Sequence, residues 1–491
     1  MQDVISASCR SDKRVLAIRK RDAQPTVLLS PEVILPAREW ARQQWGQVDL
    51  GDKRLNRRAV EVGSRMAAHP QASLPEQAGT RKRLVGTYRL LNNKRPTMEK
   101  LLEPEYKATR RAAEQQAVVL LLHDTTELDY TAHRHTQGLG PIGNGRGQGL
   151  LLHSMLAVVP ETRQVLGVAH AQVVLREAHA KQRKDHRRSA EAKLWEVATH
   201  AMGQPPAGSV WVHVTDRGSD GFEYMTACRA EGTQFVVRAM HNRLLTMPNP
   251  AENESRLGLL DWARRMAAQP GSEYEVSVAA TAKQSARTAH LVLAWSALTL
   301  PPPVKGAVDG VADQALPVWV IRAWEPHPPK GVKPVEWILI TSCPVHGLSD
   351  AQRIVAWYSC RWLCEDYHQC LKTGCRVEDT QLDHADDIKR FLGFAIPIAV
   401  RLLQLRQLVR HSPDEWALKL IDPLLVKIVA HEQDCAADGM TLAEFWLNVA
   451  KTGGHQGRRG DGAPGWRTLW AGWRHITDLA QGARLFAAHV A

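Results

Sequence analysis

The chain has 491 residues, of which 44% are hydrophobic and 23% are charged, a composition that is typical of globular proteins and allows about three domains. The 63 Lys and Arg residues against 51 Asp and Glu give a formal net charge of +12, which favours a polyanionic partner, nucleic acid before a membrane surface. The longest apolar run, residues 391–400, is far shorter than the roughly 18 residues of a membrane-spanning helix. The eight cysteines have no regular spacing and the N-terminus lacks a signal-peptide layout, so we expect a cytoplasmic protein.

The N-terminal third is predicted to be helical and basic. Residues 1–36 have mixed composition and are expected to be a loosely ordered leader. Residues 37–110 carry apolar positions at helical spacing, beginning with Trp40 and Trp45, and two clusters of Lys and Arg. This segment is therefore predicted to be compact, helical and basic.

The middle of the chain predicts an α/β domain. A continuous apolar run predicts a strand buried on both faces at 118–122. Further strands are predicted at 150–159, 164–175, 210–215 (also buried) and 234–238, with helices at 181–202 and 221–230. Between about 240 and 345 the pattern changes to alternating runs separated by Pro and Gly, which predicts an antiparallel β block with strands near 274–278, 291–295, 318–324 and 337–340. Helical patterns return at 349–371 and 388–409, and the tail to residue 491 is helical.

Two aspartates follow buried strands directly. Asp124 comes after the strand at 118–122, and Asp216 comes after the strand at 210–215. Functional side chains of α/β folds project from the carboxyl ends of strands, although an Asp at such a position can also be a helix cap or a turn residue.

Four residues whose side chains could act in catalysis or binding lie on one stripe of the helix predicted at 349–371 and its continuation. Tyr358, Arg361, Glu365 and Lys372 fall within a sector about 60° wide at the spacing of an α-helix. The alternative is an exposed, ion-paired helix face with Arg361 and Glu365 one turn apart.

Three carboxylates from two strand ends and one helix could supply the oxygen ligands that a two-metal site requires. Mg²⁺ and Mn²⁺ prefer oxygen ligands, and two such ions about 4 Å apart can serve phosphodiester displacement. Arg361 and Lys372 on the same stripe would then bind phosphates, together with Tyr358.

These motifs resemble the DDE transposases of bacterial insertion sequences, in particular the insertion-sequence-four family, the branch that includes the transposon-five transposase and carries a Tyr-Arg-Glu-Lys signature. The resemblance extends from about residue 38 to at least residue 410. It rests on His123-Asp124-Thr125-Thr126, Asp216-Arg217, Tyr358-x2-Arg361-x3-Glu365-x6-Lys372, the Gly-rich stretch 138–149, Trp337 to Ser342, and Leu50 to Leu55.

The resemblance implies a ribonuclease-H-like catalytic core over about 111–400 that contains the β block as an insertion. Asp124, Asp216 and Glu365 would be the catalytic, metal-binding triad for two Mg²⁺ ions per site, with Mn²⁺ as a substitute. Tyr358, Arg361 and Lys372 would bind phosphates at the transposon end. An indole at the position of Trp337 would stack on a flipped-out base, while Trp362 would line the same pocket and Arg238 would contact the DNA backbone.

The implied activity is cut-and-paste transposition in the bacterial cytoplasm, in association with the nucleoid. It comprises nicking at transposon ends, hairpin formation and resolution, and strand transfer into target DNA. The helical domain at 37–110 would recognise terminal inverted repeats in double-stranded DNA, and residues 401–491 would form a C-terminal dimerisation region for a homodimeric synaptic complex. A stand-alone metal-dependent nuclease of the same fold and an inactive relative that only binds inverted repeats are the alternatives.

Overall fold

The computed structural model describes residues 5–6, 35–176, 190–245, 257–278, 287–302, 315–458 and 464–490. Most of the predicted leader and the first part of the helix predicted at 181–202 therefore lie outside the described residues. Among the described residues, no helix is both long enough and apolar enough to cross a membrane.

Five helices form the N-terminal region after a two-residue strand, β1 (Ile5–Ser6). Asp52, Thr80 and Thr97 cap three of the helices by accepting hydrogen bonds from backbone N–H groups of the first turn. Trp45 is buried, and its indole N–H donates to the Leu101 carbonyl at 3.1 Å, which ties the first helix to the fifth. The helices are α1 (Ala37–Trp45), α2 (Lys53–Ala68), α3 (Leu74–Ala78), α4 (Arg81–Leu91) and α5 (Met98–Glu114).

The central region alternates strands and helices and confirms an α/β fold. The strands predicted at 210–215 and 234–238 occur with these bounds. The elements are β2 (Val118–Asp129), β3 (Gly140–Ile142), β4 (Gly147–Val159), β5 (Gln164–Val174), α6 (Leu194–Met202), β6 (Val210–Thr215), α7 (Phe222–Ala230) and β7 (Gln234–Arg238).

In its described residues, the predicted β block contains one helix and four antiparallel strands. The strands pair in sequence order, and the last of them also pairs antiparallel with β7. The block is thereby an extension of the central sheet. Its elements are α8 (Leu259–Arg265), β8 (Tyr274–Val278), β9 (Arg287–Leu300), β10 (Leu316–Trp324) and β11 (Glu336–Thr341).

Helices joined by short connections make up most of the described C-terminal region. The first three helices pack on the core of the sheet, and the last four form a separate apolar cluster around Phe445, Val449 and Ile476. The helices are α9 (Leu348–Ser359), α10 (Trp362–Gln369), α11 (Ala385–His411), α12 (Ala417–Leu420), α13 (Pro423–Glu432), α14 (Leu442–Thr452) and α15 (Trp466–Val490).

The described strands form one mixed sheet. Its central order is β5-β4-β2-β6-β7, in which β2, β4 and β5 are antiparallel and β2, β6 and β7 are parallel. Apolar residues of α6, α7 and α8 cover one face of the sheet, and those of α10 and α11 cover the other. The carboxyl ends of β2 and β6 therefore open beside α10.

Two predicted boundaries are wrong. The strand predicted to end near Asp124 continues to Asp129, because antiparallel pairing with β4 persists after the parallel pairing with β6 has ended. The helix predicted to be continuous over 349–371 is two helices, α9 and α10, followed by a π-helical turn, Cys370–Gly374. At the break, Cys360 and Arg361 donate their backbone N–H groups to carbonyls three residues earlier, which tightens the chain and ends α9.

Candidate active site

Asp124 and Asp216 lie where the parallel pairing of β2 and β6 ends. The last paired residues are Leu122 and Val214, so each aspartate lies two residues beyond this rung. Asp124 remains inside β2 and is 7% exposed, while Asp216 directly follows β6 and accepts a hydrogen bond from the Gly218 N–H at 2.9 Å. The fold thus places both carboxylates at one edge of the parallel pair.

Glu365 reaches the same place from α10. Single carboxylate oxygens of Asp124 and Glu365 and a ring nitrogen of His368 lie within 4.8 Å of one another. This is the one such group of potential metal ligands among the residues with described positions. The structure therefore brings together the first and third of the predicted acidic residues.

Arg361 neutralises part of this negative charge. It occupies the break between α9 and α10, and its guanidinium lies 2.9 Å from Oδ1 of Asp124. Its charge also interacts with Asp216, as the charge of Asp124 does. All three predicted carboxylates are thus connected electrostatically through Asp124 and Arg361.

All three carboxyl groups have raised pKa values. Burial is the main cause in each case, because removal from water penalises the charged form. The negative charge of Asp124 raises the pKa of Glu365 and of Asp216 further, and the positive charge of Arg361 opposes these shifts. Such clustered carboxylates with raised pKa values are a feature of functional sites.

Sequence reasoning did not assign His368 to this site. Its Nδ1 lies 3.6 Å from Oδ2 of Asp124, and its Nε2 is buried without a hydrogen-bond partner among the described residues. Burial, followed by the charges of Lys372 and Arg361, lowers the pKa of His368 to about 3, so the ring is neutral. The signal available in the sequence was its position three residues after Glu365, on the same helical face.

Lys372 and Tyr358 flank the carboxylates. The ammonium group of Lys372, in the π-helical turn, donates to the Glu127 carbonyl at 2.6 Å and lies 3.2 Å from the carboxylate of Glu378. Tyr358 is buried near the end of α9, three residues before Arg361.

The two predicted tryptophans occupy different surroundings. Trp337 is only 3% exposed, and its ring packs edge-to-face on Tyr358 with 5.3 Å between centroids. Trp362 is half-buried at the first position of α10. Trp337 thus supports Tyr358 from the core, and its indole face is covered in this structure.

Arg238 lies at the end of β7, next to the second aspartate. Its guanidinium donates to the Glu336 carbonyl at 3.0 Å, and its positive charge lowers the pKa of Asp216 in opposition to burial. The structure therefore brings this residue close to the carboxylate cluster.

The side chains at this site fit a divalent cation. Three carboxylates with raised pKa values carry negative charge that Arg361 offsets only in part, and His368 adds a neutral ring with an unpartnered nitrogen. Carboxylate oxygens are the ligands that Mg²⁺ and Mn²⁺ prefer. The clustered cysteines nearby, Cys360, Cys364, Cys370 and Cys375, are free and buried.

Sequence models of two transposase domains match regions near the two ends of the chain. The sequence model described as transposase DNA-binding matches residues 37–95. The sequence model described as the transposase Tn5 dimerisation domain matches residues 398–490. A cryo-EM structure of the piggyBac transposase synaptic complex with hairpin DNA aligns with 99% of this chain and 84% of its own chain, with 12% sequence identity and a TM-score of 0.35.

The two sequence matches correspond to helical regions of the structure. One corresponds to helices α1 to α4 and the other to the last part of α11 together with α12 to α15. The two end regions of the chain are thus similar to a DNA-binding domain and a dimerisation domain of transposases, which supports a DNA transposase.

Proposed function

We propose that the chain is a cut-and-paste DNA transposase of the DDE type, of the insertion-sequence-four family with the Tyr-Arg-Glu-Lys signature. The proposal rests mainly on the proximity of Asp124 and Glu365, whose carboxylate oxygens lie within 4.8 Å of each other. Asp216 lies at the same edge of the sheet, where the parallel pairing of β2 and β6 ends. The transposase sequence matches at both ends of the chain support the same assignment.

The topology supports a ribonuclease-H-like catalytic region over about 111–400. In such a core, three antiparallel strands precede two strands that run parallel to the first, which is the arrangement of β2, β4, β5, β6 and β7. The β block, which we place at about 240–345, enters after the second aspartate and extends the sheet beyond β7.

Asp124, Asp216 and Glu365 would hold the divalent ions, with His368 next to the cluster. Two Mg²⁺ ions, when bound, would activate an attacking oxygen and stabilise a leaving oxygen of a phosphodiester. Arg361 is already turned toward the carboxylates, so its remaining N–H groups can bind a phosphate in a bidentate manner. Tyr358 beside it would orient the same phosphate.

Lys372 would bind the transposon-end phosphate as a point charge. In the free protein this ammonium contacts the Glu127 carbonyl and Glu378, and a lysine has three N–H donors, so a phosphate can accept from the third. Arg238 would contact the DNA backbone near Asp216, and half-buried Trp362 would line the pocket.

One carboxylate set can serve the whole reaction because each step is a phosphodiester displacement with a different nucleophile. Water nicks one strand, the freed 3′-hydroxyl attacks the opposite strand to form a hairpin, and the hairpin is reopened before strand transfer into target DNA. A flipped base at the hairpin would stack on Trp337, whose ring must become uncovered when DNA binds.

The terminal domains would assemble the synaptic complex. The exposed basic residues of the helical domain at 37–110, including Lys53, Arg54, Arg57 and Arg81, would follow the backbone of the inverted repeats. The helices over 401–491 would pair two subunits, in agreement with the sequence match over 398–490. We further propose that the protein acts in the bacterial cytoplasm at the nucleoid.

The direct test combines DNA cleavage with strand joining. Purified chain, Mg²⁺, DNA carrying paired transposon ends and a target plasmid should give nicks, hairpins and joined products. Asp124→Ala, Asp216→Ala and Glu365→Ala should each abolish nicking while they leave binding to end DNA intact.

Asp366→Asn is the matched control. Asp366 neighbours Glu365 on α10 but pairs with Arg406 at 3.1 Å, away from the cluster, so this variant should nick at the wild-type rate. Nicks without joined products would favour the nuclease alternative, and end binding without nicks would favour the inactive relative. Nicking by Glu365→Ala at the wild-type rate would refute the site.

A further inference from the structure

A continuous chain of hydrogen bonds lies beneath the carboxylates, on the opposite face of the sheet. Oγ1 of Thr125 contacts Nδ1 of His153 at 2.8 Å, and Nε2 of His153 contacts Nδ1 of His123 at 3.2 Å. Nε2 of His123 then contacts Nδ1 of His213 at 2.8 Å. We refer to Thr125, His153, His123 and His213 as the imidazole chain; its three rings are completely buried.

The imidazole chain has a preferred direction. Nε2 of His213 is buried without a partner among the described residues, so a hydrogen placed there would be a donor without an acceptor. The arrangement that avoids this has His213 donating to His123, His123 to His153, and His153 to Thr125. Every other ring nitrogen of the chain then has a partner, and the rings are neutral because burial lowers the pKa of His153 and of His213 to about 3.

The chain connects the strands that carry the two aspartates. His123 and Thr125 are the neighbours of Asp124 on β2, and both are held from the far side of the sheet. His213 lies three residues before Asp216 on β6. His123 and His213 therefore join β2 to β6 across Leu122 and Val214, the last rung of the parallel ladder.

The position of this link has a mechanical consequence. Beyond the last rung, no backbone pairing between β2 and β6 is described, although β2 remains paired with β4 as far as Asp129. The distance between Asp124 and Asp216 is therefore controlled by whatever fixes the two strands at that rung. The hydrogen bond between His123 and His213 is the side-chain contact placed there.

We propose that the imidazole chain positions Asp124 and Asp216, and that the contact between His123 and His213 sets the spacing of the two carboxylates for divalent cations. This inference rests on the proposed metal site and adds positioning residues that do not touch metal or DNA. Residues that orient metal ligands from behind typically change metal affinity by about 10–100-fold when they are replaced.

The test is a comparison of two variants of similar size at residue 213. His213→Leu removes the donor to His123, whereas His213→Asn places an amide N–H near the former Nδ1 position. With full-length protein and no DNA, binding of Mn²⁺ can be measured by electron paramagnetic resonance. We expect about tenfold weaker Mn²⁺ binding for His213→Leu and wild-type binding for His213→Asn.

Two controls separate positioning from general packing. His170→Leu replaces a half-buried histidine of β5 that bonds to Gln172 outside the chain, and should bind Mn²⁺ like the wild type. Thr125→Val and Thr125→Ser probe the half-buried end of the chain, where replacement is least disruptive. We expect the Val variant to bind Mn²⁺ more weakly than the Ser variant. If thermal unfolding shows that the variants at residue 213 are not folded, the comparison of the two Thr125 variants tests the positioning role instead.

The outcomes distinguish this inference from the proposed function. If the wild type binds Mn²⁺ and Asp124→Ala does not, the metal site is supported. The paired variants then test the positioning role of the imidazole chain. Equal affinities of His213→Leu and the wild type, or equal losses in His213→Leu and His213→Asn, would overturn the positioning role alone. A wild-type chain that binds no Mn²⁺ would overturn both.

Discussion

Replacement of Glu365 by glutamine should stabilise the metal-free protein while it removes the response to metal. In the absence of an ion, Glu365 lies near Asp124 with oxygen atoms within 4.8 Å, and burial and this neighbour both raise the pKa of Glu365. Glu365→Gln keeps the shape of the side chain and removes its charge. The repulsion disappears, but so does a metal ligand.

The size of the effect follows from the geometry. At 4.8 Å, the upper limit of the separation of these oxygens, two full charges repel by about 3.5 kcal/mol at an effective dielectric constant of about 20. The charges of Arg361 and Lys372 attract Glu365, and solvent screens a side chain that is only partly buried. We therefore expect Glu365→Gln to raise the free energy of unfolding by about 1–2 kcal/mol at pH 8.

The advantage of glutamine should depend on pH in a defined direction. Because the pKa of Glu365 is raised in the folded state above its ordinary value of 4.5, the folded protein retains a proton that the unfolded chain has lost. The stability of the wild type relative to the variant therefore falls as the pH rises from about 4.5 through the folded-state pKa. The two proteins should be equally stable near pH 4, where both states are protonated.

Thermal unfolding by calorimetry, with EDTA and then with increasing Mg²⁺, measures both effects. Mg²⁺ at 100 times its dissociation constant should stabilise the wild type by about 2.7 kcal/mol and Glu365→Gln by much less. Asp366→Asn is the control, since it loses an ion pair with Arg406 and should keep the full response to Mg²⁺. A Glu365→Gln variant that is less stable in EDTA, or that responds to Mg²⁺ like the wild type, would refute this reasoning.

Two further predictions concern DNA. Lys372→Gln should reduce nicking by about 100-fold, because it removes a fixed positive charge from the phosphate site, and should leave Mn²⁺ binding in place; equal losses in both assays would contradict a phosphate role. Gly63→Ala should weaken binding to end DNA, because a Cβ at this position of α2 would lie 2.2 Å from the Trp45 ring and overpack the N-terminal core by about 1–3 kcal/mol. Gly482→Ala, on α15 with no atom near its Cβ position, is the control, and undiminished DNA binding and stability of Gly63→Ala would show that the core tolerates the methyl group.

Strands buried on both faces could be predicted well from the sequence. The strands at 210–215 and 234–238 are rich in valine and aromatic residues and have polar residues or turns on either side, so local composition indicates their ends. The strand that carries Asp124 differs because its second half is polar and is held by pairing with β4. A polar segment that is a strand only because it pairs with a strand distant in sequence has the same local composition as a loop.

The candidate site could be predicted only in part. Strand ends and helical spacing indicated Asp124, Asp216 and Glu365, and the resemblance to a family connected them. The break at Cys360 and Arg361 was not predicted, because no Pro or Gly marks it. The contact of His123 with His153 and His213 depends on the register of three strands, which a single sequence does not specify.

Burial also changes the interpretation of single residues. The resemblance implies an accessible indole at Trp337, whereas the structure places this ring in the core against Tyr358. The position of β11 in the extended sheet, next to β7, explains this burial.

Anomalous diffraction from crystals of the full-length protein with Mn²⁺ tests the central claim most directly. We expect manganese peaks bound by Asp124 together with Asp216 and Glu365, and their loss in crystals of Asp124→Ala. Manganese bound elsewhere, or crystals of folded wild-type protein with no peak at these carboxylates at saturating Mn²⁺, would contradict it.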